Sequence, residues 1–270
     1  MLALVPARGI AHSAGRHRRL ELVEGTFTRS KHRFGKALEG GKQLSRDEMY
    51  ATLEKRGIST AGQRSVQMLW RAAQDGLICF GAVHGKEQTF VLLDEWAPGA
   101  KSMDREQALA EIAKRYFTSR GPATVQDFAW WMGVTLSDAR AGLDMVKSQL
   151  IQETVDGQAF WMAPNHSTPR CASAAVHLLP GFDEFVLGYK DRSAFLDPAH
   201  ASRICPGGNG VFFPTIVIDG RIAGLWRRRV KKDRVSVAAH PFSALSEPEA
   251  KGFVRAARRY GQYLEMRVEL

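Results

Sequence analysis

Cysteine is scarce in this chain: Cys79, Cys171 and Cys205 are odd in number and widely spaced. No CxxC pair and no Cys/His ligand spacing occurs, so neither a disulfide framework nor a structural zinc is indicated, and a reducing cytosol fits best. The eight histidines are scattered without ligand spacing, and no metal is expected. Long apolar runs are missing as well. None approaches the roughly 18 residues of a membrane span, and the opening LALV is too short for a signal core before Arg8 and His12 intervene. A soluble, cytoplasmic protein without membrane attachment is expected. No GxSxG is present. The glycine-rich Pro206-Gly207-Gly208-Asn209-Gly210 lacks the lysine and hydroxyl residue of a phosphate loop and the spacing of a dinucleotide fingerprint, so it reads as a tight turn and no cofactor is expected. Acidic residues are the last deficit: 28 Asp and Glu face 38 Lys and Arg, for a net charge of +10. Such a surplus attracts a polyanion and supplies the sequence-independent part of DNA affinity.

What is present is a pattern that occurs twice. With 44% hydrophobic and 24% charged residues, 270 residues suffice for two or three compact domains. Residues 1–40 read as helical and basic, like the tail of something larger. In the first repeat Ser45 and Glu48 form a capping box, and the helix runs to about Arg56 before Gly57. A second helix, from about Gly62 to Gln74, places Val66, Leu69, Trp70 and Ala73 inward and Arg64, Gln67 and Arg71 on the other side. The β-rich runs LICFGAV and QTFVLL then flank a tip of His84, Gly85 and Lys86. After a linker at 97–102, the second repeat offers a helix from about Asp104 to Ser119 broken by Gly121-Pro122. A helix capped by Thr124 and Asp127 with Phe128 and Trp131 inward follows. Next comes a helix capped by Thr135 or Ser137 that carries Arg140 and Lys147 on one face. Its hairpin turns at Asp156-Gly157, a pair suited to a type I′ turn.

Beyond a Pro/Ser/Ala/Thr-rich linker at 164–175 the pattern changes to strands. HLLPGFDEFVLGY reads as strand, turn and strand; TIVIDGRIAGLW is a hairpin turning at Asp219-Gly220; RVSVAA alternates like an edge strand. A helix capped by Ser246 and Glu249 buries Phe253, Ala257 and Tyr260. The expected architecture is therefore α+β: tandem winged helices, each a helix-turn-helix with a β-hairpin, at 41–97 and 103–164, followed by a β-rich C-terminal domain at 174–270.

A recognition helix and its wing would place Arg64, Gln67, Arg71 and Lys86, and in the second repeat Arg140 and Lys147, against a duplex. The dense run Arg227, Arg228, Arg229 and Lys231, together with Arg192, completes the expected DNA-binding set; a solvated, pairing-resistant strand edge is the alternative for the run. Asp183, Glu184, Tyr189, Asp191 and Arg192 lie close together in sequence, enough for acid/base work or for a structural ion pair.

The motifs GPATVQDFAWWMGVTLSDARAGL, LLPGFDEFVLGYKDRSAFLD and GGNGVFFPTIVIDGRIAGLWRR, with GQRSVQMLWRAAQDGLICFG upstream, resemble the bacterial winged-helix DNA-binding family that contains the AlkZ-type DNA glycosylases. The resemblance implies three tandem winged helices and a C-terminal β-barrel-like domain around DNA, and excision of alkylated or crosslinked purines. It also implies a catalytic Gln-aliphatic-Gln or Gln-aliphatic-Asp that positions the attacking water. Neither pattern occurs here; Gln63 to Gln67 and Gln149 to Gln152 have the wrong spacing. Met1 aligns inside the family's first winged helix, as a mis-assigned start or a truncation would produce. The expectation is a monomer that binds double-stranded, possibly damaged DNA without excising a base. The alternative is an active glycosylase, for whose water Asp183 and Asp191 are the weak candidates.

Overall fold

A computed structural model describes residues 4, 6–99, 103–165 and 175–270. Residues 100–102 of the first expected linker and 166–174 of the second, Cys171 among them, lie outside the described residues. The chain divides into two compact units, Met1–Lys114 with Gly133–Met145, and Arg115–Met132 with Val146–Leu270.

The first unit opens with α1 (Pro6–Arg19) and α2 (Glu24–Leu38), followed by β1 (Leu44–Ser45), α3 (Arg46–Glu54) and α4 (Arg64–Gln74). The hairpin β2 (Ile78–His84) and β3 (Glu87–Leu92) and the short α5 (Leu93–Trp96) come next. Phe27, Phe34 and Leu38 form one stripe of α2 and pack on Met49, Leu53, Met68, Leu69, Ile78 and Phe90, all buried. The Ser45–Glu48 capping box is present, and Gly57, at φ +68°, lets the chain leave α3 through the left-handed region. In β2 a bulge falls between Phe80 and Val83, where Gly81 passes so close to β3 that a Cβ would sit 2.7 Å from Val91 Cγ1. The front of α6 (Arg105–Arg120) and most of α8 (Leu136–Val146) also belong to this unit. They pack closely: a Cβ on Gly142 would lie 3.0 Å from Leu109 Cγ. Arg105 reaches Asp138 at 2.8 Å.

The expected inward face of α4 needs correction. Val66 is 48% exposed, whereas Gln67 is buried beside Met68, Leu69 and Ala72. Because α1 and α2 both pack on α4, its buried arc is wider than one amphipathic stripe and is turned toward Gln67.

The second unit holds the end of α6, α7 (Val125–Met132), and the hairpin β4 (Ile151–Val155) and β5 (Gln158–Met162), whose turn has Asp156 at φ +49° and Gly157 at φ +76°. Thr124 and Asp127 cap α7 reciprocally. Here the internal repeat shows in detail: Leu44, just before the Ser45 cap, pairs with Phe90 of β3, and Ala123, just before the Thr124 cap, bridges to Trp161 of β5. Lys147 lies in a 3₁₀ turn beyond the end of α8, so it does not share a helix face with Arg140.

The remainder forms a five-stranded sheet of β6 (Val176–Leu179), β7 (Thr215–Ile218), β8 (Arg221–Val230), β9 (Arg234–Pro241) and β10 (Arg267–Glu269), in the order β10-β9-β8-β7-β6. Short helices α9 (Glu184–Leu187) and α10 (Ala201–Ile204) follow β6, and α11 (Glu247–Tyr263) precedes β10. Phe253 and Ala257 of α11 cover Ile216, Trp226, Val235 and Val237 on one face; Val186, Leu196 and Ile204 cover Val217 and Ile222 on the other. Two expectations are corrected. The second half of HLLPGFDEFVLGY is a helical turn, because Asp183 accepts the Phe185 N–H at 2.8 Å as a helix cap. β9 is an internal strand, because β10 pairs with it in parallel from Arg267 to Glu269. Tyr260 is only half-buried.

Candidate nucleic-acid interface

Arg64, Gln67 and Arg71 of α4 do not face solvent as a recognition helix would require. Gln67 is 7% exposed, and its Oε1 pairs with His17 Nε2 at 3.1 Å. Arg64 donates to the carbonyls of Leu20 and Ser59. Arg71 bonds Asp75 at 3.0 Å and Glu24 at 3.1 Å, with its guanidinium 5.1 Å from the Phe27 ring. Asp75 also accepts from Lys31 at 2.5 Å. Burial alone would raise its pKa, yet Lys31 and Arg71 together hold the carboxyl below the usual value. The expectation that these three residues present a free face is therefore corrected: they fasten α4 to α1, α2 and the turn between them. One signal was available in sequence, since Asp75 stands four residues after Arg71. Of the first-repeat set, only Lys86 lies in an exposed hairpin turn. Arg140 and Lys147 are exposed in the second repeat.

The β8–β9 hairpin of the second unit presents a solvent-facing row of cations. Arg227, Arg228 and Arg229 run exposed beyond buried Trp226. Strand alternation splits them. Arg228 turns toward α11, where it lies 5.5 Å from the Tyr260 ring and hydrogen-bonds its hydroxyl. Arg227 and Arg229 project from the opposite face, across from Ala238 and Ser236. Glu269 partly neutralises the hairpin end, 3.8 Å from Lys231 and 3.1 Å from Arg234. Among the described residues, no carboxylate comes within ion-pair distance of Arg227 or Arg229.

The acid/base candidates are held by backbone. Asp183 is the α9 cap, and Asp191 accepts the Ser193 N–H at 2.9 Å, which holds its carboxyl below the usual range. Arg192 is not a free DNA contact, which corrects that expectation. It donates to the Val186 carbonyl at 2.6 Å, lies over Phe212 at 5.3 Å and Trp130 at 5.9 Å, and burial lowers its pKa.

Asp127, read in sequence only as a cap, is the most heavily bonded carboxylate of this region. It is 3% exposed and accepts from Thr124 N and Oγ1 at 3.0 and 2.7 Å, Lys190 N at 2.8 Å and Asp191 N at 3.3 Å. Burial, then the Asp127 charge, pushes the phenols of Tyr116 and Tyr189 up; both donate to backbone carbonyls, those of Gly188 and Arg120. Beside it opens a cavity of about 520 Å³ walled by Phe160, Phe185, Tyr189 and Phe195, with Asp156, Gln158 and Asp191 among its polar lining residues.

The family model for AlkZ-like DNA glycosylases matches residues 1–263, and the chain belongs to that family. It is 28% identical over 194 residues to the interstrand DNA cross-link repair glycosylase of Streptomyces sahachiroi, over 68% of this chain and 51% of that relative. The chain thus spans about half the length of that curated relative. The solved structure of Streptomyces sahachiroi DNA glycosylase AlkZ has the same fold, with a TM-score of 0.76 at 21% identity, over 99% of this chain and 75% of that one.

Proposed function

We propose that this chain is a DNA-binding member of its family that holds duplex DNA, damaged or intact, without excising a base. The helix–helix–hairpin repeats are read as winged helices, with Lys86 at one wing and Arg140 and Lys147 in the second repeat as phosphate contacts. The observation that carries the reading is the pair Arg227 and Arg229, exposed side by side on one strand face with no acidic partner among the described residues. Residues two apart on a strand have their Cα atoms about 7 Å apart and point to the same face, so both guanidinia can meet the phosphates of one DNA strand. Titration of a labelled duplex at several salt concentrations tests this. Binding should weaken linearly on a log-log plot, and Arg227→Ala with Arg229→Ala should flatten the slope by about two. An unchanged slope would make the run a solvated edge.

Support for the non-excising part comes from the missing Gln-aliphatic-Gln or Gln-aliphatic-Asp and from Asp183 and Asp191, each of which accepts a backbone N–H through one carboxylate oxygen and so serves a turn or cap. The aromatic cavity beside Asp191 favours the second reading, excision of an extruded base with Asp191 positioning water. A single-turnover assay on duplex carrying 7-methylguanine separates the two. The proposal expects release no faster than spontaneous loss, and chain-dependent release would establish the second reading.

A further inference from the structure

Phe182 is held in the left-handed region at φ +61° and is 55% exposed. Among the described residues, the other non-glycine residues with positive φ are all Asp or Glu at surface turns; a bulky aromatic there is strained, and nothing in the core repays it by burying the ring. The strain is imposed from both sides. Gly181 presses so near the Phe212 carbonyl that a Cβ would stand 2.8 Å from its oxygen, and Asp183 is fixed as the α9 cap. Within the same unit, the end of α7 and the loop before β7 bring further rings to the surface. Phe213 is 36% and Trp130 53% exposed, and the Arg192 guanidinium lies over both Trp130 and Phe212. The Trp131 indole N–H donates to Glu184 at 2.9 Å, which ties the end of α7 to the Phe182 loop.

We infer that this region is a stacking platform for nucleobases that have left the duplex stack, with Phe182 as the ring that enters the gap and Trp130 as its companion. Exposed rings suit unpaired bases, because every base offers a π-face and stacking does not read sequence. A ring held outward by a strained backbone suits insertion at a step whose stacking is already broken. The inference rests on the DNA-binding reading and adds a preference for distorted DNA.

Two labelled duplexes, one fully paired and one with a single bulged 2-aminopurine, test it by anisotropy and by the fluorescence of the bulged base. The full chain should bind the bulged duplex about tenfold more tightly, the worth of one base–aromatic stack, and should quench 2-aminopurine. Phe182→Gly should abolish the preference and the quenching while leaving paired-duplex affinity intact. Because glycine accepts positive φ freely, this variant should melt no lower than the parent. Trp130→Ala, at an exposed position, should reduce the preference independently. Equal affinity for both duplexes, or a preference that survives Phe182→Gly, overturns the platform alone. A lower melting temperature for Phe182→Gly would make Phe182 a structural residue and overturn it too. Absence of binding to either duplex overturns the DNA-binding reading with it.

Discussion

Gln67 shows how a polar residue on a helix can be committed to the interior. Its bond to His17 joins two helices across 50 positions of sequence, and removing the amide strands the imidazole next to Phe27 and Trp70. Gln67→Ala should therefore cost about 1–3 kcal/mol in denaturant unfolding, with no change in DNA affinity beyond that from lost folded protein. A base-reading Gln67 would show the reverse. Asp75 gives a pH signature. Its folded pKa lies below the ordinary 3.8, so the carboxylate's contribution is complete above that value and is lost as pH falls through the lower folded one. Asp75→Asn should remove this component of acid destabilisation in a pH series of melting temperatures, and at neutral pH should cost about 1 kcal/mol. A variant with the parent's acid limb would show that the pairing is not formed in solution.

At the level of elements, what could be read in sequence and what could not follows from whether the cause is local. The Ser45, Thr124 and Ser246 caps, the Asp156-Gly157 and Asp219-Gly220 turns and the Gly85 hairpin are set by a few neighbouring residues, and each appears where the sequence places it. The misplaced features depend on distant partners. β9 reads as an edge until β10, thirty-odd residues later, pairs with it, and the covered face of α4 depends on helices forty to fifty residues away. Asp127 is the same case: its cap role is local, whereas its bonds to Lys190 and Asp191 cross more than sixty positions. It knots α7 to that segment. Asp127→Ala should cost about 2–3 kcal/mol, since hydrogen bonds to a charged acceptor are lost and buried donors are left without one. The check is a lower denaturant midpoint at unchanged m-value; an unshifted midpoint would mean that the segment holds its place unaided.

For the molecule as a whole, the surplus of positive charge was legible in composition, but its distribution was not. Several of the cations are already committed: Arg71 and Lys31 go to Asp75, Arg120 to Glu184, Arg234 to Glu269, and Arg192 is enclosed by rings. On the second unit Arg227 and Arg229 are exposed neighbours on one strand face of the β8–β9 hairpin, so this pair, rather than the first-repeat helix, carries the proposed grip on DNA. The most direct measurement compares two double variants in one duplex-binding salt series. Arg227→Ala with Arg229→Ala should flatten the slope by about two while leaving the melting temperature near the parent's, and Arg64→Ala with Arg71→Ala should lower the melting temperature while leaving the slope unchanged. The opposite pattern, a flattened slope for the α4 pair and none for the hairpin pair, would contradict the account.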